Sequence, residues 1–113
     1  MTASTPPVAV VDYGIGNLHS AHKALLRAGV DARLTSDPAE VDRAGAVVLP
    51  GVGNFGSCMR ALRATGLVGA VQNAVDSQRP FLGICVGMQM LFESSEESPD
   101  EPGLGILPGF VEW

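Results

Sequence analysis

Apolar residues along the chain change period several times, and each change marks an element. VAVVDYG (8–14) is a short β-branched run closed by glycine, the pattern of a strand buried on both faces. From Asn17 to Ala28 the apolar residues fall at Leu18, Ala21, Leu25 and Ala28. That is helical spacing, with Asn17 placed to cap the start and Gly29 just past the end. VDARLTS (30–36) alternates Val30, Ala32 and Leu34 and predicts a second strand. Asp37-Pro38 then opens a short helix, the aspartate at the cap and the proline at the first position.

AVVLPGVGNFG (46–56) reads as a strand running into a glycine-rich loop. Residues 57–78 carry helical periodicity, broken near Gly66. RPFLGIC (79–85) is a fourth strand, VGMQMLFE (86–93) a helix, and GLGILPGFVEW (103–113) turn chemistry leading into a strand. Residues 1–7, ending in Pro6-Pro7, read as a flexible tail, and 8–113 as one domain segment. Strands alternating with helices at this spacing predict an α/β fold: an open, mostly parallel sheet with helices on both faces, as in flavodoxin-like proteins. Chemistry in such sheets gathers in loops beyond the carboxyl ends of the strands. Three loops qualify, at 14–17, at 51–56 and at Cys85.

Composition narrows the function. The chain has 113 residues, 46% of them hydrophobic and 17% charged, a balance that suits one folded domain. Seven Lys and Arg against twelve Asp and Glu give a net charge of -5, which argues against a nucleic-acid partner. No apolar run is long enough to span a membrane, and MTASTPP lacks the basic and apolar regions of a secretory signal. Two cysteines make no disulfide framework, so a reducing, cytoplasmic setting is expected. After Arg79 there is no basic residue, while Glu93, Glu96, Glu97, Asp100, Glu101 and Glu112 follow. Taken alone, this acidic cluster reads as a solvated loop.

Candidate chemistry centres on Gly83-Ile84-Cys85-Val86-Gly87. A G-x-nucleophile-x-G pattern between strand and helix is the thiol form of a nucleophile elbow. The flanking glycines leave room for a sharp turn that projects the thiol from the sheet. The start of the following helix would favour the thiolate, and the Val86 amide would face a developing oxyanion. Gln89, four residues on, would share the pocket. The bland alternative is a cysteine packed under a glycine turn.

The loop Gly51–Gly56 can turn its amides toward an oxyanion or a phosphate, or be a plain loop. It lacks the Lys-Ser/Thr ending of a nucleotide-binding P-loop. Gly14-Ile15-Gly16 begins like a dinucleotide fingerprint but has His19 where the third glycine belongs. His19 and His22, three apart on the first helix, suit an exposed helix face better than a metal pair. Cys58 reads as a small core filler.

Taken together, "DYGIGNLHSAHKAL", "LPGVGNFG" and "GICVGMQMLFE.SEE…GLGILPG" closely resemble the triad (class I) glutamine amidotransferases. Within that class the resemblance is to the amidotransferase subunits of imidazole glycerol phosphate synthase, and it runs from about Val8 to Trp113. It implies that Cys85 attacks the side-chain amide of glutamine, giving a glutamyl thioester and ammonia. It implies oxyanion-hole amides at Val52 and Val86, with Gly51 and Gly53 shaping the loop, and Gln89 and Glu97 holding the amino-acid end of the substrate. Ammonia would pass to a cyclase subunit, forming a heterodimer, with Asn17 at the contact. No metal or other cofactor is implied.

In that family the histidine and glutamate completing the triad come from a later segment, absent from these residues. The chain is therefore expected to be the N-terminal part of the domain, with a bare sheet edge and little turnover on its own. Two other readings stay open: a non-catalytic module that docks on the cyclase, and a cysteine hydrolase or flavin binder of another class.

Overall fold

The fold is that of a computed structural model, which describes residues 6–16 and 18–112. The elements in chain order are β1 (Val8–Val11), α1 (Leu18–Arg27), β2 (Ala32–Thr35), α2 (Pro38–Arg43), β3 (Ala46–Gly51), α3 (Phe55–Ala64), α4 (Val68–Asp76), β4 (Phe81–Cys85), α5 (Val86–Gln89), β5 (Ser94–Ser95) and β6 (Phe110–Val111). The first four strands form one parallel sheet in the order β2-β1-β3-β4. The expected strand–helix alternation and parallel sheet are thus present, and β1 and β3 flank the point where the strand order reverses. Clefts open at such points because the loops on either side run in opposite directions.

Local chemistry explains several boundaries. Asp37 caps α2 by accepting from the Ala39 amide at 2.9 Å, with Pro38 at the first helical position. Gly29 takes φ +86°, and the amides of Gly29 and Val30 close back on Leu26 and Leu25, ending α1. At the end of α2, one guanidinium nitrogen of Arg79 donates to the carbonyls of Val41, Asp42 and Ala44. Asn17, expected to cap α1 and to lie at a partner contact, falls outside the described residues.

The sheet separates two cores. On one face Ala9, Val11, Val47 and Leu49 pack under α2, α3 and α4, whose Val41, Phe55, Met59, Leu62 and Val71 are fully buried. Each such side chain contributes roughly 1.5–3 kcal/mol. On the other face Val10, Ala32 and Val48 meet Leu25 of α1. That face stays open beside β4, where Leu82 is 51% exposed on the outermost strand.

Two expectations need correction. The helix expected over 86–93 is only four residues long. After Met90 the amides of Leu91 and Phe92 close back three residues, on Met88 and Gln89, rather than four, and the carbonyls of Met90, Leu91, Phe92 and Glu93 accept from the amides of Leu104, Leu107, Gly105 and Gly103. Gly103 makes this docking possible, since a Cβ there would stand 2.1 Å from the Phe92 carbonyl oxygen. The segment 94–111 also forms a small parallel pair, β5 with β6.

The acidic cluster is exposed to solvent except at Glu101, as expected, but its loop is tied down. Glu93 accepts from the Gly109 amide at 2.9 Å, Glu97 from the Phe55 amide at 2.8 Å, and Glu101 pairs with Arg63 and Arg60. His22 is not free on the helix face: its Nε2 lies 2.7 Å from the Ala32 carbonyl oxygen, tying α1 to β2 as a donor. His19 is exposed.

Candidate active site

Cys85 ends β4 and precedes α5 directly, with φ +57° and ψ -124°. No side chain with a Cβ adopts that conformation without strain, on the order of 1–3 kcal/mol. The turn is held by main chain packed on main chain. Gly51 pairs with Cys85 at the last rung of the β3–β4 ladder. A Cβ on Gly51 would lie 2.5 Å from the Gly87 nitrogen, and one on Gly87 would lie 2.0 Å from the Leu49 carbonyl oxygen. A Cβ on Gly83 would lie 2.8 Å from the Met88 Cα. The three glycines bring the end of β3, the end of β4 and the start of α5 closer together than any side chain allows.

The result is a presented thiol. Cys85 is exposed, whereas Cys58 is fully buried in the core. The reading of Cys85 as a cysteine sealed under a turn is therefore set aside, and Cys58 is the core filler. With α5 a single turn, the local amides of Val86 and Gly87, rather than a long helix dipole, supply positive potential near the sulfur. Val86 is buried behind the thiol, and Gln89, half-buried, is the last residue of α5.

The second loop leaves β3 at Gly51. Val52 is 39% exposed, Gly53 takes φ +83°, and Asn54 caps α3 through Oδ1 to the Ser57 amide at 3.1 Å. The remaining free amides at the start of α3 are met from a distant segment. Glu97 Oε1 takes the Phe55 amide, and Ser98 Oγ takes the Gly56 amide at 3.1 Å, each across 42 residues. These caps start α3 at Phe55, two positions ahead of the predicted Ser57. They also fix the Glu97 carboxylate beside the 51–56 loop.

Under this loop lies a buried polar pair that the sequence did not single out. Tyr13, 1% exposed, donates its hydroxyl to the Pro50 carbonyl and lies 3.5 Å from the Met90 sulfur. Pro50 has no N–H to give the ladder, and β1 stops at Val11. The Tyr13 hydroxyl, in place of a β1 amide, meets the Pro50 carbonyl. Burial, and then the neighbouring Cys58 thiol, push the Tyr13 pKa far above its ordinary value. Cys58 Sγ in turn donates to the Val52 carbonyl at 3.2 Å.

Of the predicted site residues, the structure gathers Gly51, Val52, Gly53, Cys85, Val86 and Gln89 at the carboxyl ends of β3 and β4. Glu97 joins them through α3. Among the described residues no cluster of three or more His, Cys, Asp or Glu could hold a metal ion. Nor is any described helix long and apolar enough to cross a membrane.

The family model described as "Glutamine amidotransferase class-I" matches residues 9–100. Among curated proteins, the chain is 54% identical over 110 residues to the imidazole glycerol phosphate synthase subunit HisH of Synechococcus elongatus, covering 97% of this chain and 50% of that protein. It is 52% identical over 106 residues to the HisH subunit of Nostoc punctiforme, covering 94% of this chain and 50% of that one. The chain thus spans about half the length of the curated relatives it matches. Among solved structures, one described as a crystal structure of glutamine amidotransferase superposes with a TM-score of 0.74 at 25% identity, over 93% of this chain and 55% of that one. A putative peptidase E from Listeria monocytogenes, at a TM-score of 0.64 and 13% identity over 78% of this chain and 50% of that one, shares the fold.

Proposed function

The chain belongs to the class-I glutamine amidotransferase family, and from that premise we propose that it forms the nucleophile-bearing part of a glutaminase. The ammonia released is delivered to a cyclase subunit that makes imidazole glycerol phosphate, in the cytoplasmic pathway of histidine biosynthesis. The observation that carries this reading is the exposed, strained Cys85 seated between the Gly51 rung and the Val86–Gly87 amides.

The chemistry follows from that placement. The Cys85 thiolate attacks the side-chain carbonyl carbon of glutamine; a C–S bond forms, and the carbonyl electron pair moves to oxygen. Amides of Val52 and Val86 receive that oxyanion, with Gly51 and Gly53 giving the loop its shape. Collapse expels ammonia with the proton the base took from the thiol, leaving a glutamyl thioester that water cleaves to glutamate and the free thiol. Gln89 and Glu97 hold the amino-acid end, the carboxylate facing the substrate ammonium. Neither described histidine bonds to Cys85, and His22 is committed to Ala32. The base is, by the family resemblance, a histidine from outside these residues. The partner is a cyclase subunit in a heterodimer.

The test uses the longest polypeptide that carries residues 1–113. A diazo-ketone analogue of glutamine should leave one adduct, on Cys85, in competition with glutamine. Labelling confined to Cys58, or none, overturns the reading.

A further inference from the structure

Residues 97–102 lie along one stripe of α3. Gly56, Arg60 and Arg63, spaced i, i+4 and i+7, make that stripe. At its start the Ser98 hydroxyl accepts from the Gly56 amide at 3.1 Å and donates to Asn54 Oδ1 at 3.1 Å. Gly56 admits this contact, since a Cβ there would stand 2.9 Å from Ser98 Oγ and 3.1 Å from Ser98 Cβ. At the other end Arg63 donates to the Glu101 carboxylate and to the Pro102 carbonyl, and Arg60 lies 3.8 Å from the second Glu101 oxygen. The stretch 96–109 contains no helix or strand, so these ties do what regular structure does elsewhere. Glu97 heads the docked segment. Its Oε1 accepts from the Phe55 amide at 2.8 Å, while Oε2, on an exposed residue, has no hydrogen-bond partner among the described residues.

We propose that Ser98 and Arg63 are positioning residues that hold the Glu97 carboxylate where it meets the ammonium group of the substrate. The inference rests on the glutaminase reading, with its role for Glu97, and adds two residues that act through that carboxylate. A glutamate on an irregular segment has side-chain and main-chain torsions to fix. Any fixing left until glutamine arrives subtracts from affinity. The Phe55 amide alone leaves the carboxylate free to swing about one oxygen. Ser98 fixes the next residue of the main chain, and Arg63 fixes the end of the turn four and five residues on. The free Oε2 is then offered in one place, ready for a charge-assisted hydrogen bond. Such a tie serves bound substrate and transition state alike, so its loss falls on KM and spares kcat.

The experiment assays glutamine hydrolysis by the longest polypeptide carrying this segment, with its partner present. It compares Ser98→Ala, Arg63→Ala, Arg63→Lys and Glu97→Gln, and the first two again in the Glu97→Gln background. Ser98→Ala and Arg63→Ala should each raise KM for glutamine about three- to tenfold with kcat within about twofold. Arg63→Lys keeps a cation opposite Glu101 and should recover part of the loss. Beside Glu97→Gln, neither substitution should raise KM further by more than about twofold, because each acts through that carboxylate. Native packing of each variant is read from Cys58, which stays closed to iodoacetamide while buried. Ser98→Ala removes a single hydroxyl and decides the matter if Arg63→Ala fails to fold. If KM stays within about twofold of the parent, if the loss falls on kcat, or if it persists in full beside Glu97→Gln, the proposal fails. A Glu97→Gln protein with the parent's KM removes the role of Glu97 and this inference with it. A parent protein that never turns over glutamine removes the glutaminase reading itself.

Discussion

Replacing Gly87 by alanine should damage the site through one contact. The new methyl carbon would sit 2.0 Å from the Leu49 carbonyl oxygen and 2.8 Å from the Leu49 carbonyl carbon. Comfortable carbon contacts begin well above 3 Å, so the end of β3 and the start of α5 must separate by roughly 1 Å. Both sides are main chain, so no side chain can swing aside. Overpacking of this kind costs about 3 kcal/mol, or about 10 °C in Tm for a domain of this size. The same displacement opens the rung that pairs Gly51 with Cys85, and a 1 Å misplacement of reacting groups costs on the order of 100-fold in rate.

Two other glycines serve as controls. Gly53 has free space but φ +83°, so Gly53→Ala should cost ~1–2 kcal/mol from backbone strain alone. Gly69 is exposed in α4 with free space, and Gly69→Ala should stabilise by ~0.5–1 kcal/mol. Thermal denaturation ranks the three, and diazo-ketone labelling of Cys85 reports the site. A Gly87→Ala protein as stable and as readily labelled as its parent would refute the close-packed account of the turn.

Other expectations follow from the same geometry. Iodoacetamide should modify Cys85 alone in the native protein and Cys58 only after denaturation, as peptide mass mapping will show. Glu97→Gln keeps an oxygen for the Phe55 amide, so stability should hold while KM for glutamine rises at least tenfold; an unchanged KM would make Glu97 purely a helix cap. Arg79→Ala removes the donor that three carbonyls at the end of α2 share, leaving Val41 only the Ala44 amide, and should cost about 1.5–3 kcal/mol by denaturant titration. The chain's one tyrosine should show no phenolate absorbance until the protein unfolds. Its raised pKa means the unfolded chain gives up that proton first, so stability falls as pH climbs above about 10. Tyr13→Phe should flatten that slope.

Much of this architecture could be read from the residues because the decisive interactions are local. β-Branched runs, the Asp37-Pro38 start and the glycine after α1 specify themselves within a few positions. The elbow was also legible, since glycines flanking a cysteine have a steric meaning wherever a strand meets a helix. What escaped was decided across long separations. The segment after α5 is docked by amides 103–107, and the start of α3 is set by Glu97 and Ser98 across 42 residues. Periodicity carries no record of a carbonyl captured from elsewhere. Tyr13 and Cys58 were missed as a pair for the same reason: each looks like packing until its partner carbonyl is located.

The spacing between strand and turn around Cys85 is set by bare main-chain atoms at Gly51, Gly83 and Gly87, not by any side chain. Such a spacer has a fixed thickness that substitutions among the aliphatic residues beneath it cannot retune. The protein can drift through many interior sequences while the sulfur keeps its post, provided those three positions never acquire a methyl group.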